Sequence, residues 1–272
     1  MSPYNILTIA GTDPSGGAGI HADLKTFSAL GGYGASVITA LVAQNTCGVQ
    51  GIFPVTAEFV RQQLDSVLTD LDIASVKMGM LHHQGIIEQV AASLQHPSIP
   101  WRVLDTVMLA KSGDPLLDPE AICCLREVLI PEVSIITPNI PEAAALLNCQ
   151  PAENETQMRE QGEKLLTLGC EAVLMKGGHL QTAESPDWLI TTTGEQRFSQ
   201  PRIATHNTHG TGCTLSAALA ALRPHFTDWA QTTWQAKQWL QGAIAHADEL
   251  NVGQGHGPVH HFYQQWPVSL PQ

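Results

Sequence analysis

Asn5-Ile6-Leu7-Thr8-Ile9-Ala10-Gly11, then Thr12-Asp13-Pro14-Ser15-Gly16-Gly17-Ala18-Gly19, then Ile20-His21-Ala22-Asp23-Leu24-Lys25-Thr26-Phe27: this opening stretch reads as strand, glycine loop and helix. Residues 5–11 make a short, mainly apolar run, as in a strand buried on both faces. Over residues 18–31, Ile20, Leu24 and Phe27 recur at helical spacing. Gly17 to Ala22 also fits G-x-G-x-x-A, the turn of a dinucleotide-binding fold. That use needs a carboxylate about 20 residues further on, at the end of the second strand. No Asp or Glu occurs from Leu24 to Ala57, and the second strand-like run ends in Gln44. NAD binding is therefore rejected, and the loop reads as close backbone packing around a substrate.

The same unit repeats outward from this stretch. Strand-like runs cover 35–44, 74–80, 103–105, 134–137 and 172–176. Between them lie helical patterns at 56–71, 83–95, 118–130, 141–147 and 155–168. Val60, Leu64, Val67, Leu68 and Leu71 fall on one face of the first of these. Residues 188–193 and 196–203 form a hairpin around Gly194-Glu195, and helices near 212–223 and 228–250 close the chain. Repeated βα units imply an α/β fold with a mostly parallel sheet and helices on both faces. With no low-complexity linker, repeat or charge block, one domain over 1–272 is expected. Ligands of such sheets bind beyond the carboxyl ends of the strands, which directs attention to loops 11–19, 44–48, 105–114, 138–142, 176–179 and 207–213.

The composition narrows the function classes. At 272 residues and 43% hydrophobic, the chain can bury a large core. A formal charge of -12 disfavours non-specific contact with nucleic acid or anionic membranes. The six cysteines lack zinc or CxxC spacing, so they read as reduced thiols. No signal peptide or membrane span is visible, and a cytoplasmic protein is expected. His82-His83 and His260-His261 point apart as neighbours and have no third ligand spaced for zinc. No G-x-x-x-x-G-K-[ST] pattern is present, which argues against a P-loop enzyme.

Asn207-Thr208-His209-Gly210-Thr211-Gly212-Cys213-Thr214 precedes the apolar run Leu215-Ser216-Ala217-Ala218-Leu219. Glycines before a helix free the backbone to present N–H groups to an anion. An ordinary glycine turn is the plain alternative. The pattern also sets the Cys213 thiol at the positive end of a helix dipole, where its pKa is expected to fall.

Gly210-Thr211-Gly212-Cys213 resembles the anion-hole motif of ribokinase-like kinases, in which the last position, usually Asp, takes the acceptor's proton. Cys there is similar to the pyrimidine kinases of thiamine biosynthesis and a related set of pyridoxal kinases. Ala10 to Ile20 with Ala22-Asp23-Leu24-Lys25, Thr39 to Thr46, Lys111-Ser112-Gly113-Asp114, Thr137 to Ala143 and Met175-Lys176-Gly177-Gly178-His179 match the same family in order. The chain thus resembles the hydroxymethylpyrimidine/phosphomethylpyrimidine kinases over nearly its whole length. Thr106 stands where the family usually has Pro, and Asn207 where it usually has Asp.

The resemblance implies a three-layer α/β/α ribokinase-like sandwich. It implies ATP-dependent phosphorylation of 4-amino-5-hydroxymethyl-2-methylpyrimidine to the monophosphate and then the diphosphate. Gly210, Thr211 and Gly212 would hold the transferring phosphoryl group, and Cys213 would be the general base. Gln44 would read the aminopyrimidine edge, since an amide sets a donor beside an acceptor; without the resemblance it reads as a strand-end Gln bonding its own loop. Gly11, Ala18, Val42, Met80 and Val107 would line the substrate, with plain core as the alternative for Val42 and Met80. Asp23 would be a polar substrate contact or a helix-dipole partner. Lys176, Asn139 and Thr208 would bind ATP. Glu142 and Asp105 would serve Mg²⁺, largely through water. Asn139 also reads as a helix cap before Pro141. A homodimer is expected, and residues 105–114 form a candidate mobile loop.

Three rivals remain at this level. A pyridoxal kinase would use the same scaffold. A Cys-dependent transferase would attack through Cys213 and need a base, for which His209 is the local candidate. A silent binding protein would have no need of Lys176, Glu142 and the glycine loop together.

Overall fold

Two opposite faces of one sheet organise the chain. The computed structural model describes residues 2–95, 99–108 and 116–266. The strands are β1 (Asn5–Ala10), β2 (Tyr33–Ile38), β3 (Ala40–Asn45), β4 (Gly48–Pro54), β5 (Ile73–Met78), β6 (Trp101–Leu104), β7 (Ile135–Ile136), β8 (Ala172–Lys176), β9 (Glu184–Thr191) and β10 (Gly194–Pro201). Eight of them form a sheet in the order β10-β9-β8-β7-β6-β5-β1-β2. Pairing is parallel from β2 through β8 and antiparallel at β8–β9 and β9–β10.

The helices are α1 (Gly19–Ala29), α2 (Ala57–Leu68), α3 (Gln84–Leu94), α4 (Pro119–Cys124), α5 (Ile140–Leu147), α6 (Glu155–Leu166), α7 (Thr211–Leu222) and α8 (Trp229–Ala245). Side chains of a strand alternate between its faces. On β8, Val173 and Met175 pack into the core beneath α2 to α6, while Ala172 and Leu174 join α1, α7 and α8 on the other side. The molecule is therefore a three-layer α/β/α sandwich. Val60 and Leu64 of α2 are buried, with Val67, Leu68 and Leu71 packed beside them, as the helical spacing requires.

The expected single strand over 35–44 is instead two strands. Thr39 breaks the run: its N–H donates to Ala10 O at 3.0 Å and its hydroxyl to Met80 O at 2.6 Å. The chain then leaves the main sheet, and β3 pairs with β4 as a separate antiparallel hairpin. The hairpin strand β4 has no counterpart in the sequence reading. The helix expected over 118–130 shortens to α4, continued by a π turn at Leu125–Leu129 and a 3-10 turn at Ile130–Glu132. The Lys111-Ser112-Gly113-Asp114 motif, and with it most of the candidate mobile loop, lies outside the described residues. Among the described residues no helix is long and apolar enough to cross a membrane.

Candidate active site

The carboxyl ends of β1, β5, β6 and β8 open onto a cleft of about 940 Å³, walled on one side by Val42 and Gln44 of β3. It brings together Gly11, Ala18, Val42, Gln44, Met80, Asp105, Val107, Asn139, Glu142, Lys176, Thr208, Gly210, Thr211, Gly212 and Cys213. Asp23 is not among its lining residues.

The start of α7 forms one wall. Gly210 has φ 76°, and a Cβ there would fall 1.7 Å from Gly17 O, so only glycine fits. Thr211 Oγ1 donates to Thr208 O at 2.7 Å, and no side chain caps the helix. The first-turn N–H groups of Gly212 and Cys213 are thus left for an anion. Lys176 leaves the end of β8, and its Nζ would stand 3.4 Å from a Cβ at Gly212.

Lys176 Nζ donates to Asp105 Oδ1 at 2.9 Å and lies 3.9 Å from Glu142 Oε2. Burial opposes its charge, but Asp105 and Glu142 outweigh burial and hold it above the usual lysine range. Asp105 also accepts from Thr137 and Ser216, both at 3.2 Å. Burial pushes Glu142 up to about 7, with Asp105 adding to the rise and Lys176 pulling against it. Glu142 also closes a capping box: its N–H donates to Asn139 Oδ1 at 2.9 Å, and its Oε2 accepts from Asn139 N at 2.8 Å. Thr106 adds a 3.1 Å hydrogen bond to the same oxygen, a contact that the family's usual proline could not make.

Among the described residues no group of three or more His, Cys, Asp or Glu could enclose a metal. Of the carboxylates that line the cleft, Asp105 is committed through both oxygens, Asp13 to Ser15, Ala18 and His209, and Asp187 to Gly177 and Lys237, which leaves Glu142. That set fits a hydrated Mg²⁺ that brings its own water and phosphate oxygens.

Cys213 departs from expectation. Its pKa does not fall: burial pushes the thiol up to about 11, although Lys77 and the Gly19 N–H pull it down. Lys77 itself was not marked by the sequence reading. It lies on the buried run Ile73-Ala74-Ser75-Val76-Lys77-Met78, and a charge inside such a run was the available signal. Its Nζ contacts both Asp23 oxygens at 2.9 Å, and Thr8 Oγ1 donates to Asp23 at 2.6 Å. Asp23 and Lys77 are both fully buried. Burial raises the Asp23 carboxyl, with Lys77 pulling against it, and the 2.9 Å contacts join the two as an ion pair close enough to act on the Cys213 thiol. Asp23 therefore does not line the cleft, where its partner Lys77 does, and it lies beyond the first turn of α1, away from the dipole's end.

Asn207 Oδ1 accepts from Gly257 N at 3.1 Å, and its Nδ2 donates to Asp248 at 2.8 Å. An Asp there would set two carboxylates together. The closing segment, silent in the sequence, thereby ties down the loop before α7. His209 donates to Asp13 and lies beside Gln44, so the base required for a Cys213 nucleophile is engaged elsewhere.

A phosphomethylpyrimidine kinase family model matches residues 13–260. The chain belongs to the phosphomethylpyrimidine kinase family. The hydroxymethylpyrimidine/phosphomethylpyrimidine kinase of Salmonella typhimurium is 64% identical, with 98% of this chain and 100% of that protein covered. An ADP complex of Bacillus subtilis pyridoxal kinase superposes with a TM-score of 0.90 at 33% identity, covering 98% and 100% of the two chains. Phosphomethylpyrimidine kinase from Clostridium difficile gives a TM-score of 0.78 at 40% identity, covering 89% and 99%. The fold is thus shared by kinases of two hydroxymethyl heteroaromatics.

Proposed function

We propose that this protein transfers the γ-phosphoryl group of ATP to 4-amino-5-hydroxymethyl-2-methylpyrimidine, and then a second phosphoryl group to the monophosphate, in thiamine diphosphate synthesis. The observation that carries this is the uncapped start of α7, with Lys176 beside it and Gln44 lining the same cleft. Backbone N–H groups of residues 210–213 hold the transferring phosphoryl group, and Lys176 offsets its charge. Val42 and Met80 give the ring apolar faces, and Gln44 pairs with its aminopyrimidine edge. Asn139 and Thr208 contact the nucleotide. Glu142, with Asp105 behind it, would hold Mg²⁺ through water, and the ion would neutralise phosphate charge.

Cys213 takes the hydroxyl proton in the first step. It does so as the thiolate: with the thiol's pKa raised to about 11 this is a strong base but a scarce one at neutral pH, so the first step depends on that small fraction. The monophosphate is different: its second pKa is about 6, so its attacking oxygen is already ionised at neutral pH. The second step therefore needs little from the thiol.

The outer face of the β3–β4 hairpin exposes Leu41 and Phe53 side by side, 49% and 70% accessible, which supports a homodimer through that face. A cytoplasmic setting agrees with the unpaired cysteines.

Incubation with Mg-ATP and the hydroxymethylpyrimidine, with pyridoxal in parallel, tests the function. Successive pyrimidine mono- and diphosphate, with pyridoxal poorer, is expected. Fast pyridoxal phosphate formation without pyrimidine diphosphate would move the activity to a vitamin B6 kinase.

A further inference from the structure

His209 Nε2 lies 2.7 Å from Asp13 Oδ2, across 196 residues of chain. The same nitrogen lies 3.2 Å from the terminal amide nitrogen of Gln44. An amide nitrogen and a carboxylate cannot both use that one nitrogen as a partner. Asp13 accepts Ser15 N at 2.9 Å and Ser15 Oγ at 2.7 Å on one oxygen, and Ala18 N at 2.8 Å on the other. Burial works against its charge, but hydrogen bonds from His209 and Ser15 hold it at about 2, so it is an ionised acceptor. Nε2 must then carry a hydrogen and donate it to Asp13. A Gln44 NH₂ at 3.2 Å would set hydrogen against hydrogen.

The two ends of a side-chain amide are distinguished by their partners. With Gln44 turned by 180° about its last bond, Oε1 faces His209 and shares the Nε2 hydrogen. Oε1 keeps a second acceptor site, and the NH₂ group keeps its donors for the cleft. We propose that the Asp13–His209 pair fixes Gln44 in this orientation, and so selects a ring with an amino group, not a carbonyl, beside the hydroxymethyl group. The proposal rests on Gln44 reading the ring edge.

The chemistry of the two heteroaromatics makes the orientation a filter. Next to its hydroxymethyl arm the pyrimidine offers an amino donor and then a ring-nitrogen acceptor. These complement Oε1 and NH₂ in that order. Pyridoxal offers a carbonyl oxygen and then a phenolic hydroxyl. Its carbonyl oxygen would face Oε1, acceptor against acceptor, and turning the amide to relieve this would restore the clash with His209.

The pair is built to stay still. Asp13 is 1% and His209 7% exposed. The His209 N–H donates to Gly257 O at 3.0 Å. The ring also occupies the space beside Gly17, where a Cβ would come within 2.4 Å of its Cδ2. His209 is thus a positioning residue that acts through Gln44.

The test is calorimetric dissociation constants for the hydroxymethylpyrimidine and for pyridoxal on four proteins: wild type, His209→Leu, His209→Gln and Gln44→Ala. A glutamine at 209 reaches the Nε2 position with two donors, one for Asp13 and one for Gln44 Oε1. The preference for the pyrimidine should fall at least about tenfold in His209→Leu, the cost of one mispaired hydrogen bond, and return in His209→Gln. His209→Ala replaces the leucine variant if that one does not fold. A merely structural role would weaken both ligands together. A preference within twofold of wild type in His209→Leu, while Gln44→Ala changes it, overturns the proposal. An unchanged preference in Gln44→Ala overturns the reading of Gln44 itself.

Discussion

Helices α5 and α7 both begin at the cleft, and they begin in opposite ways. At α5, Asn139 and Glu142 satisfy each other's backbone N–H groups in a capping box. At α7, a left-handed glycine leads in and no side chain caps the first turn. The first start spends its donors internally and gains a fixed carboxylate. The second keeps its donors free for a ligand and relies on the fold to hold it. A helix start left unsatisfied costs stability, so its place beside Lys176 identifies where an anion belongs.

The largest expected effect lies beneath α7. Asp23→Ala leaves Lys77 buried without its partner, and urea unfolding should show a loss of about 3–5 kcal/mol. A loss below about 1 kcal/mol would mean that the pair does not support the α7 start. Next comes pH. A base must be deprotonated to act, and the Cys213 pKa is raised to about 11. The thiolate fraction therefore rises about tenfold per pH unit below that value. Between pH 7 and 9 the first phosphorylation should accelerate with a slope near one, while the second stays nearly flat. Parallel profiles for the two steps would remove Cys213 as the base. The smallest effect belongs to α5. Asn139→Ala should cost about 1 kcal/mol of stability through the lost cap. A rate loss above about a hundredfold with stability intact would make the two helix starts functionally alike.

Local signals in the sequence carried far. The βα alternation and the glycines of 210–213 are written in neighbouring residues, and the sheet and its cleft follow from them; the individual cleft residues came from the family resemblance, and fifteen of the sixteen line that cleft. What was illegible depends on partners distant in the chain. Residues 35–44 read as one strand because only Ala10 and Met80, through Thr39, bend them apart. Lys77 and Asp23 are 54 residues apart, and His209 and Asp13 are 196 apart, so no window reveals either pair. The Cys213 thiol failed for a related reason. The helix dipole is a local property, whereas burial, which dominates, comes from the tertiary packing.

The most direct measurement is single-turnover rates of both phosphorylations in wild type and Cys213→Ala, followed by product analysis. The account predicts that the first step slows by about 10²–10⁴-fold, the usual scale of a lost general base. It predicts that the second slows by less than about tenfold, because its acceptor oxygen is already ionised. Equal losses in both steps would contradict it and leave the thiol a part of the anion site alone.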